Sequence, residues 1–199
     1  GNALVIGAMT RHADVADSGE VQAAIPALAD MAAGIDDRQV RARGTLGGSV
    51  ANNDPAACYP SAVLGLGATV LTNRREIAAD DFFVDLFETA IGEDEILTEI
   101  RIPKHTGWGA HYEKFVRVAQ QWPIVAVAAT VRMDGGSIAE ARVGLTNMGS
   151  TPLRARGVGR EGAGPKGAIE VGGVQAQEGP GHVVLEHFGE RPSHVYASS

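Results

Sequence analysis

Residues 45 to 54 read Thr45-Leu46-Gly47-Gly48-Ser49-Val50-Ala51-Asn52-Asn53-Asp54, a glycine pair between hydroxyls followed by short amides and a carboxylate. A pyrophosphate carries two negative charges and requires several N–H donors within hydrogen-bond reach. Glycine lets main chain approach an anion with no Cβ in the way, and successive N–H groups in a turn can form an anion-binding nest. Thr45 and Ser49 add hydroxyl donors, while Asn52, Asn53 and Asp54 can serve sugar hydroxyls, which both donate and accept. Each neutral hydrogen bond contributes about 0.5–1.5 kcal/mol net, so only a convergent set could hold a dinucleotide. The alternative for the same residues is a strand–turn–strand whose bend is decorated with polar side chains. No Gly-Lys-Ser/Thr follows, so this is not a Walker A loop, and Gly44, Gly47 and Gly48 are spaced wrongly for a Rossmann turn.

Other constellations are weaker. Cys58 is the only cysteine, which excludes an intrachain disulfide, a CxxC zinc site and a thiolate cage for an iron–sulfur cluster. It follows two alanines and has no histidine nearby in sequence, which reads as a buried or half-buried thiol rather than a nucleophile. His182 and His187 are off the i, i+4 register and lack a third ligand, so no metal site is assigned. No catalytic side chain is assigned either. Glu93-Asp94-Glu95 reads as a solvated acidic turn, Trp108 and Trp122 as packing residues, and His12 as a surface helix position.

The elements that must position the glycine pair follow from periodicity and turn chemistry. Ala3 to Ala8 is a short continuous apolar run, read as a buried strand. Thr10 caps a helical turn over 11–17. Val21, Ile25, Leu28 and Ala32 recur at helical spacing, with a break at Pro26 and a second helix stopping at Gly34. Residues 60–66 read as a helix entered at Pro60, 68–72 as a strand and 75–78 as its hairpin partner. The aromatic-rich 81–87 segment reads as a short helix packed on a sheet. Ile96, Thr98, Ile100 and Ile102 alternate onto one face of a strand ending at Pro103, with Leu97 on the other. The polar connection 104–109 is the expected domain boundary. Beyond it 111–118 is a strand, and 124–133 with 137–145 flank Asp134-Gly135-Gly136, a hairpin signal. From Gly157 periodicity fades, Val183-Val184-Leu185 is the one apolar run, and a poorly ordered or grafted tail is expected.

Composition narrows the function classes. The 199 residues are 44% hydrophobic and 21% charged, ordinary globular usage, with a formal charge of −7. That balance argues against nucleic acid and against anionic membranes, which ask for clustered Lys and Arg. No apolar run reaches the ~18 residues of a spanning helix. A soluble, cytoplasmic chain is expected, one cysteine fitting a reducing compartment. It begins Gly1-Asn2 rather than with Met, so a missing native start is expected.

Ordered motifs carry the reading further. The run from Ile35 to Asn52, with Thr45 to Ser49 at its centre, resembles the second flavin-binding motif, T-I-G-G-N/S, of the molybdenum hydroxylase family, which includes the medium FAD-binding subunits of xanthine and carbon monoxide dehydrogenases. Gly7-Ala8-Met9-Thr10 resembles that family's G-A-L-T segment, and Glu95 to Pro103 its E-I-L-x-x-I-x-I-P strand. Tyr112-Glu113-Lys114-Phe115, and Asp134-Gly135-Gly136 through Pro152-Leu153-Arg154, match in order and spacing. The resemblance covers about residues 1–156.

It implies an α+β architecture. Residues 1–104 would be the second subdomain of a PCMH-type FAD-binding domain, an antiparallel sheet with short helices. Residues 110–156 would begin a CO dehydrogenase flavoprotein-like C-terminal domain, and 157–199 would be a divergent tail. It further implies FAD held by Thr45, Leu46, Gly47, Gly48 and Ser49 at the pyrophosphate, with Asn53 and Asp54 as further contacts. Leu97 would lie near the isoalloxazine and Lys114 would approach the ring, where a cation stabilises anionic reduced flavin. Molybdopterin and iron–sulfur clusters would sit on a large and a small partner subunit, making this an electron-transfer oxidoreductase subunit. The family's first phosphate loop, A-G-G-x-S, lies upstream of anything present, which implies a truncated chain. A second reading is a subunit-docking fragment that no longer holds flavin. Cys58 stands where the family often has Asp, removing a carboxylate contact.

Overall fold

The computed structural model describes residues 1–135 and 137–156, and the backbone of four short strands between 169 and 196. Strands β1 (Ala3–Gly7), β2 (Thr69–Thr72), β3 (Glu76–Ala78) and β6 (Leu97–Pro103) form one antiparallel sheet in the order β1-β6-β2-β3. Alternation puts Leu4, Ile6, Val70, Ile77, Ile100 and Ile102 on its buried face. They share a core with Val15 of helix α1 (His12–Asp17), Val21 of α2 (Gly19–Ala24) and Leu28 of α3 (Pro26–Ala33). The break at Pro26 and the stop at Gly34 lie where the sequence put them, because proline suits the first turn of a helix and not its interior.

Three local readings change. The glycine pair is not a strand–turn–strand bend but the first turn of α5 (Leu46–Asn52), which follows a short α4 (Arg38–Arg41). Residues 79–89 split into α7 (Ala79–Phe82) and a narrow hairpin of β4 (Phe83–Asp85) and β5 (Glu88–Thr89), leaving Leu86 and Phe87 exposed at its tip. In β6 the expected alternation slips: Leu71 pairs with Glu99 but Thr72 with Leu97, so Thr98 is an extra, bulged residue. A bulge reverses the faces beyond it. Ile96 is therefore 67% exposed and Leu97 is buried.

The second sheet, β7 (Trp108–Phe115), β8 (Val125–Asp134), β9 (Ser137–Thr146) and β10 (Leu153–Arg154), runs antiparallel in the order β10-β9-β8-β7. Gly135 takes φ +56° in the β8–β9 turn, as the hairpin signal required. β7 stops at Phe115 rather than Val118, where the Ile124 N–H closes back onto the Phe115 carbonyl at 2.9 Å.

Helix α6 (Cys58–Gly65), begun two residues earlier than expected, is buried at all eight positions between the two sheets. A Cβ on Gly65 would lie 3.0 Å from the Ala128 carbonyl oxygen, and one on Gly144 would press into the Ser61 carbonyl. The seam is also polar. Ser61 Oγ bonds Thr146 Oγ1, and Tyr112 OH reaches the same oxygen at 3.4 Å. Arg154 donates to Asp80 at 2.6 and 2.8 Å and to the Leu64 carbonyl at 2.5 Å. The 104–109 connection thus separates two sheets that share an interface.

Strands β11 (Ile169–Val171), β12 (Val174–Gly179), β13 (His182–His187) and β14 (Val195–Tyr196) form a third antiparallel sheet in sequence order. Val183-Val184-Leu185 falls within β13; apart from these four strands the expected 157–199 tail lies outside the described residues. Among the described residues no helix is long and apolar enough to cross a membrane.

Candidate functional site

The approach to α5 is built by local capping. Asp37 Oδ1 accepts from the Gln39 and Val40 amides at 2.8 Å each, starting α4, and Arg41 ties the preceding loop through the Ile35 and Asp36 carbonyls at 2.7 and 2.6 Å. The chain then forms a bridge between Arg11 and Thr45 and enters α5. Thr45 is the N-cap, its hydroxyl accepting from Gly48 N–H at 3.1 Å.

The amides of this turn are not bare. Leu46 N–H donates to the Thr10 carbonyl and Gly47 N–H to that of Ala8, both at 2.9 Å, and Ser49 N–H to Thr45 O at 3.0 Å. Gly47 is buried, and a Cβ there would sit 2.5 Å from Ala8 Cβ and 2.7 Å from its Cα and O. Its glycine serves close packing of α5 on the end of β1, not an open nest. Gly48 alone of the pair is exposed.

The other expected site residues divide. Asn53 and Asp54 lie at the far end of α5, about 12 Å along the axis at 1.5 Å per residue. Asn53 is fully buried and donates to the Asp85 and Glu88 carbonyls at 2.7 and 2.9 Å, so it anchors the β4–β5 tip and does not reach a surface ligand. Asp54 accepts from Ala56 N–H at 2.9 Å, shaping the entry to α6. Leu97, turned inward by the bulge, belongs to the core. Lys114 does point toward the loop before α4: its Nζ donates to the Gly34 carbonyl at 2.9 Å, a cation at a helix C-terminus.

Sequence reading missed two exposed apolar side chains on the segments that hold this turn. Met9 is 81% exposed between the two residues whose carbonyls hold the Leu46 and Gly47 amides, and Ile96 is 67% exposed next to the bulge, where Ala8 N–H meets Thr98 O at 2.8 Å. Met9 lies inside the quoted Gly7-to-Thr10 segment; Ile96 required the bulge. Ile96 is held by Asn73, whose Oδ1 accepts its N–H at 2.9 Å.

Buried polar groups stiffen the surroundings. Glu95 is not a solvated turn residue: Arg75 grips its carboxylate at 3.0 and 3.1 Å, with Thr72 Oγ1 and Gly92 N–H adding bonds at 2.6 and 2.9 Å. Arg75 first, then Thr72 and Gly92, hold its pKa down to about 2. His12 is likewise buried rather than on the surface, its ring 5.2 Å from that of Tyr59 and wedged against Gly44. Burial lowers its pKa. Burial also raises the Cys58 thiol, partly offset by a hydrogen bond with Tyr112 and by the Lys114 charge.

What this arrangement can hold follows from its free donors. Thr45 Oγ1 accepts from Gly48, which leaves its proton to donate outward, and Ser49 Oγ has no side-chain partner among the described residues. Lys114 retains two of its three N–H donors beyond the bond to Gly34. Two hydroxyls, a cation and two exposed apolar side chains fit the anionic and planar parts of a flavin dinucleotide. The main-chain amides do not add to that set.

Two family models match the chain: the FAD binding domain in molybdopterin dehydrogenase over residues 1–105 and the CO dehydrogenase flavoprotein C-terminal domain over 110–166. The chain belongs to the molybdopterin dehydrogenase FAD-binding family. The second match runs ten residues past Arg156, where the motif resemblance stopped. The carbon monoxide dehydrogenase medium chain of Hydrogenophaga pseudoflava is 38% identical over 79% of this chain and 56% of its own length. The glyceraldehyde dehydrogenase medium chain of Sulfolobus acidocaldarius is 31% identical over 83% and 60%. A solved CO dehydrogenase from Oligotropha carboxidovorans superposes with TM-score 0.78 at 38% identity, over 80% of this chain and 58% of that one. The chain thus spans little more than half the length of the relatives it matches, and its α+β fold is theirs.

Proposed function

We propose that this chain is the flavin-facing part of a medium subunit in a molybdenum-containing hydroxylase or dehydrogenase. In that reading it is an oxidoreductase subunit that passes electrons from iron–sulfur clusters on a small partner, through FAD, to an acceptor. A large molybdopterin-binding subunit would carry the substrate, and the assembly would be cytoplasmic. The observation that carries the reading is the exposed Gly48 in the first turn of α5, between half-buried hydroxyls and beside exposed apolar side chains, inside a matched FAD-binding domain.

FAD would supply the redox chemistry through its isoalloxazine ring. The residues of this chain would do the holding. Thr45 and Ser49 hydroxyls would donate to pyrophosphate oxygens across the open surface of Gly48, and Lys114 would place positive charge nearby. Met9 and Ile96 would keep water from the ring's flank. Leu46, Gly47, Asn53, Asp54 and Leu97 would act beneath them, fixing the turn, the α6 entry and the bulged strand. The two units would meet at residues 104–110.

The docking-fragment reading draws on a separate observation: the α5 amides at Leu46, Gly47, Gly48 and Ser49 are all bonded internally. A charge-assisted hydrogen bond contributes about 1.5–3 kcal/mol, so an anion lacking those amides loses much of its hold. The 199-residue chain is expected to bind FAD weakly, with no flavin fluorescence quenching at submicromolar protein. Saturable quenching in that range that disappears in Thr45→Ala would establish flavin retention; quenching indifferent to Thr45 and Lys114 substitution would remove this site from consideration.

A further inference from the structure

Three loops meet beyond the C-terminal end of α5. Asn53 binds the β4–β5 tip through the Asp85 and Glu88 carbonyls, and the Asp85 carboxylate takes a hydrogen bond from Ser150. Asn147 N–H donates to the Pro55 carbonyl at 2.9 Å, and its side chain to those of Pro123 and Ile124 at 3.1 and 3.2 Å. On this framework stand Val84, Leu86, Phe87, Trp122, Ile124 and Met148, each between 40% and 57% exposed. Single exposed apolar residues are ordinary, but six large ones on joined loops are not.

The backbone points the same way. Asn53, Phe87, Gln120 and Asn147 have φ of +47°, +55°, +66° and +59°, four of the six positive-φ non-glycine residues described. Asparagine tolerates that conformation; a bulky aromatic does so at a cost. Phe87 adopts it at a tip where its ring is more than half in solvent and adds little to the core. Strain held where it brings no packing is a mark of function rather than of folding.

We propose that these six side chains form the centre of a docking surface for another subunit of the assembly, one presenting an apolar face with a lysine- or arginine-bearing rim. The proposal rests on the medium-subunit reading above. Charge selects the occupant. In and beside these loops Asp54, Asp85 and Glu88 stand against Arg117 alone, and the whole chain carries −7. A second copy would set carboxylates against their own kind, and an anionic lipid surface would be repelled, whereas a basic-rimmed protein face is attracted. Tryptophan, phenylalanine and methionine are also the types enriched at interface centres.

The test uses this chain co-expressed with a large molybdopterin-binding subunit and an iron–sulfur subunit of its assembly. Phe87→Asn removes the ring while suiting the positive φ, so the thermal midpoint should hold or rise. Affinity for the cognate subunits should fall at least tenfold, and Leu86→Asp should do the same. Val5→Asp, at a half-exposed position of β1, should leave assembly intact. Unchanged assembly in Phe87→Asn and Leu86→Asp overturns the proposal, as does a homodimer of the unsubstituted chain that Phe87→Asn dissolves. Flavin content is read separately: an unsubstituted chain with neither flavin nor partners ends the medium-subunit reading, while flavin and assembly both intact in the variants end only the docking surface.

Discussion

The first turn of α5 and the seam between α6 and β9 both depend on a missing Cβ, at opposite ends of a range. At Gly47 the space lets a short helix begin against Ala8, and the neighbour across the gap is a residue with a small side chain. At Gly144 it lets a whole buried helix lie on a sheet, with the Ser61 main chain where a Cβ would stand. The Gly47 contact is announced by a local pattern of glycines and hydroxyls. The Gly144 contact is carried by a lone glycine in a strand, with nothing near it in sequence to mark it. The conspicuous Gly47 seats a short helix on the end of β1, and the inconspicuous Gly144 seats α6 on β9.

That contrast can be broken by substitution. Gly144→Ala is expected to have the largest effect, about 3 kcal/mol or loss of folding, since only movement of α6 could admit the methyl group. Urea unfolding measures it, and a loss below ~1 kcal/mol would mean the seam is slack. Gly47→Ala should cost about 2 kcal/mol, because the Ala8 backbone must shift. Gly48→Ala sharpens the comparison: its Cβ meets only the Thr45 hydroxyl at 2.8 Å. Displacing that oxygen weakens the Thr45 cap by about 1 kcal/mol, which a helix propensity gain of about 1 kcal/mol offsets, so stability should change little. If FAD affinity then drops at constant stability, and by more than in Thr45→Ala, the exposed glycine is there for the cofactor.

The smallest expected effect concerns Glu95. Its folded pKa, about 2, lies below the ordinary 4.5, so the stability it contributes is complete above about pH 4.5 and is lost as pH falls toward 2. Arg75 is exposed, and solvent screens the pair, which keeps the effect modest. In Glu95→Gln the stability difference from the unsubstituted chain should shrink between pH 5 and pH 2. A difference constant across that window would assign the role of Glu95 to packing.

Much of the fold was legible because its signals are local. The apolar runs of β1 and β2, the break at Pro26 and the β8–β9 turn each rest on residues adjacent in sequence. α5 was not legible: two glycines and Val50 in seven residues are poor helix formers, and the helix starts through bonds to Ala8 and Thr10, over thirty residues back. Nor could one strand reveal the Thr98 bulge, since a bulge exists only relative to β2. The buried roles of Glu95 and Asn53 depend on partners 20 and 32 residues away. For the candidate site, the motif drew attention to a turn whose main-chain amides are already bonded to Ala8, Thr10 and Thr45, and no spacing within residues 45–54 reveals the partners at Ala8 and Thr10.

Helix α6 has no solvent face, and that bears on how the chain can be divided. The gap between the two matched families, after residue 105, invites separate expression of each half. A cut there would leave one flank of this helix wet and the second sheet without its lid. The two parts are adjacent paragraphs in sequence, but in space they share a sentence.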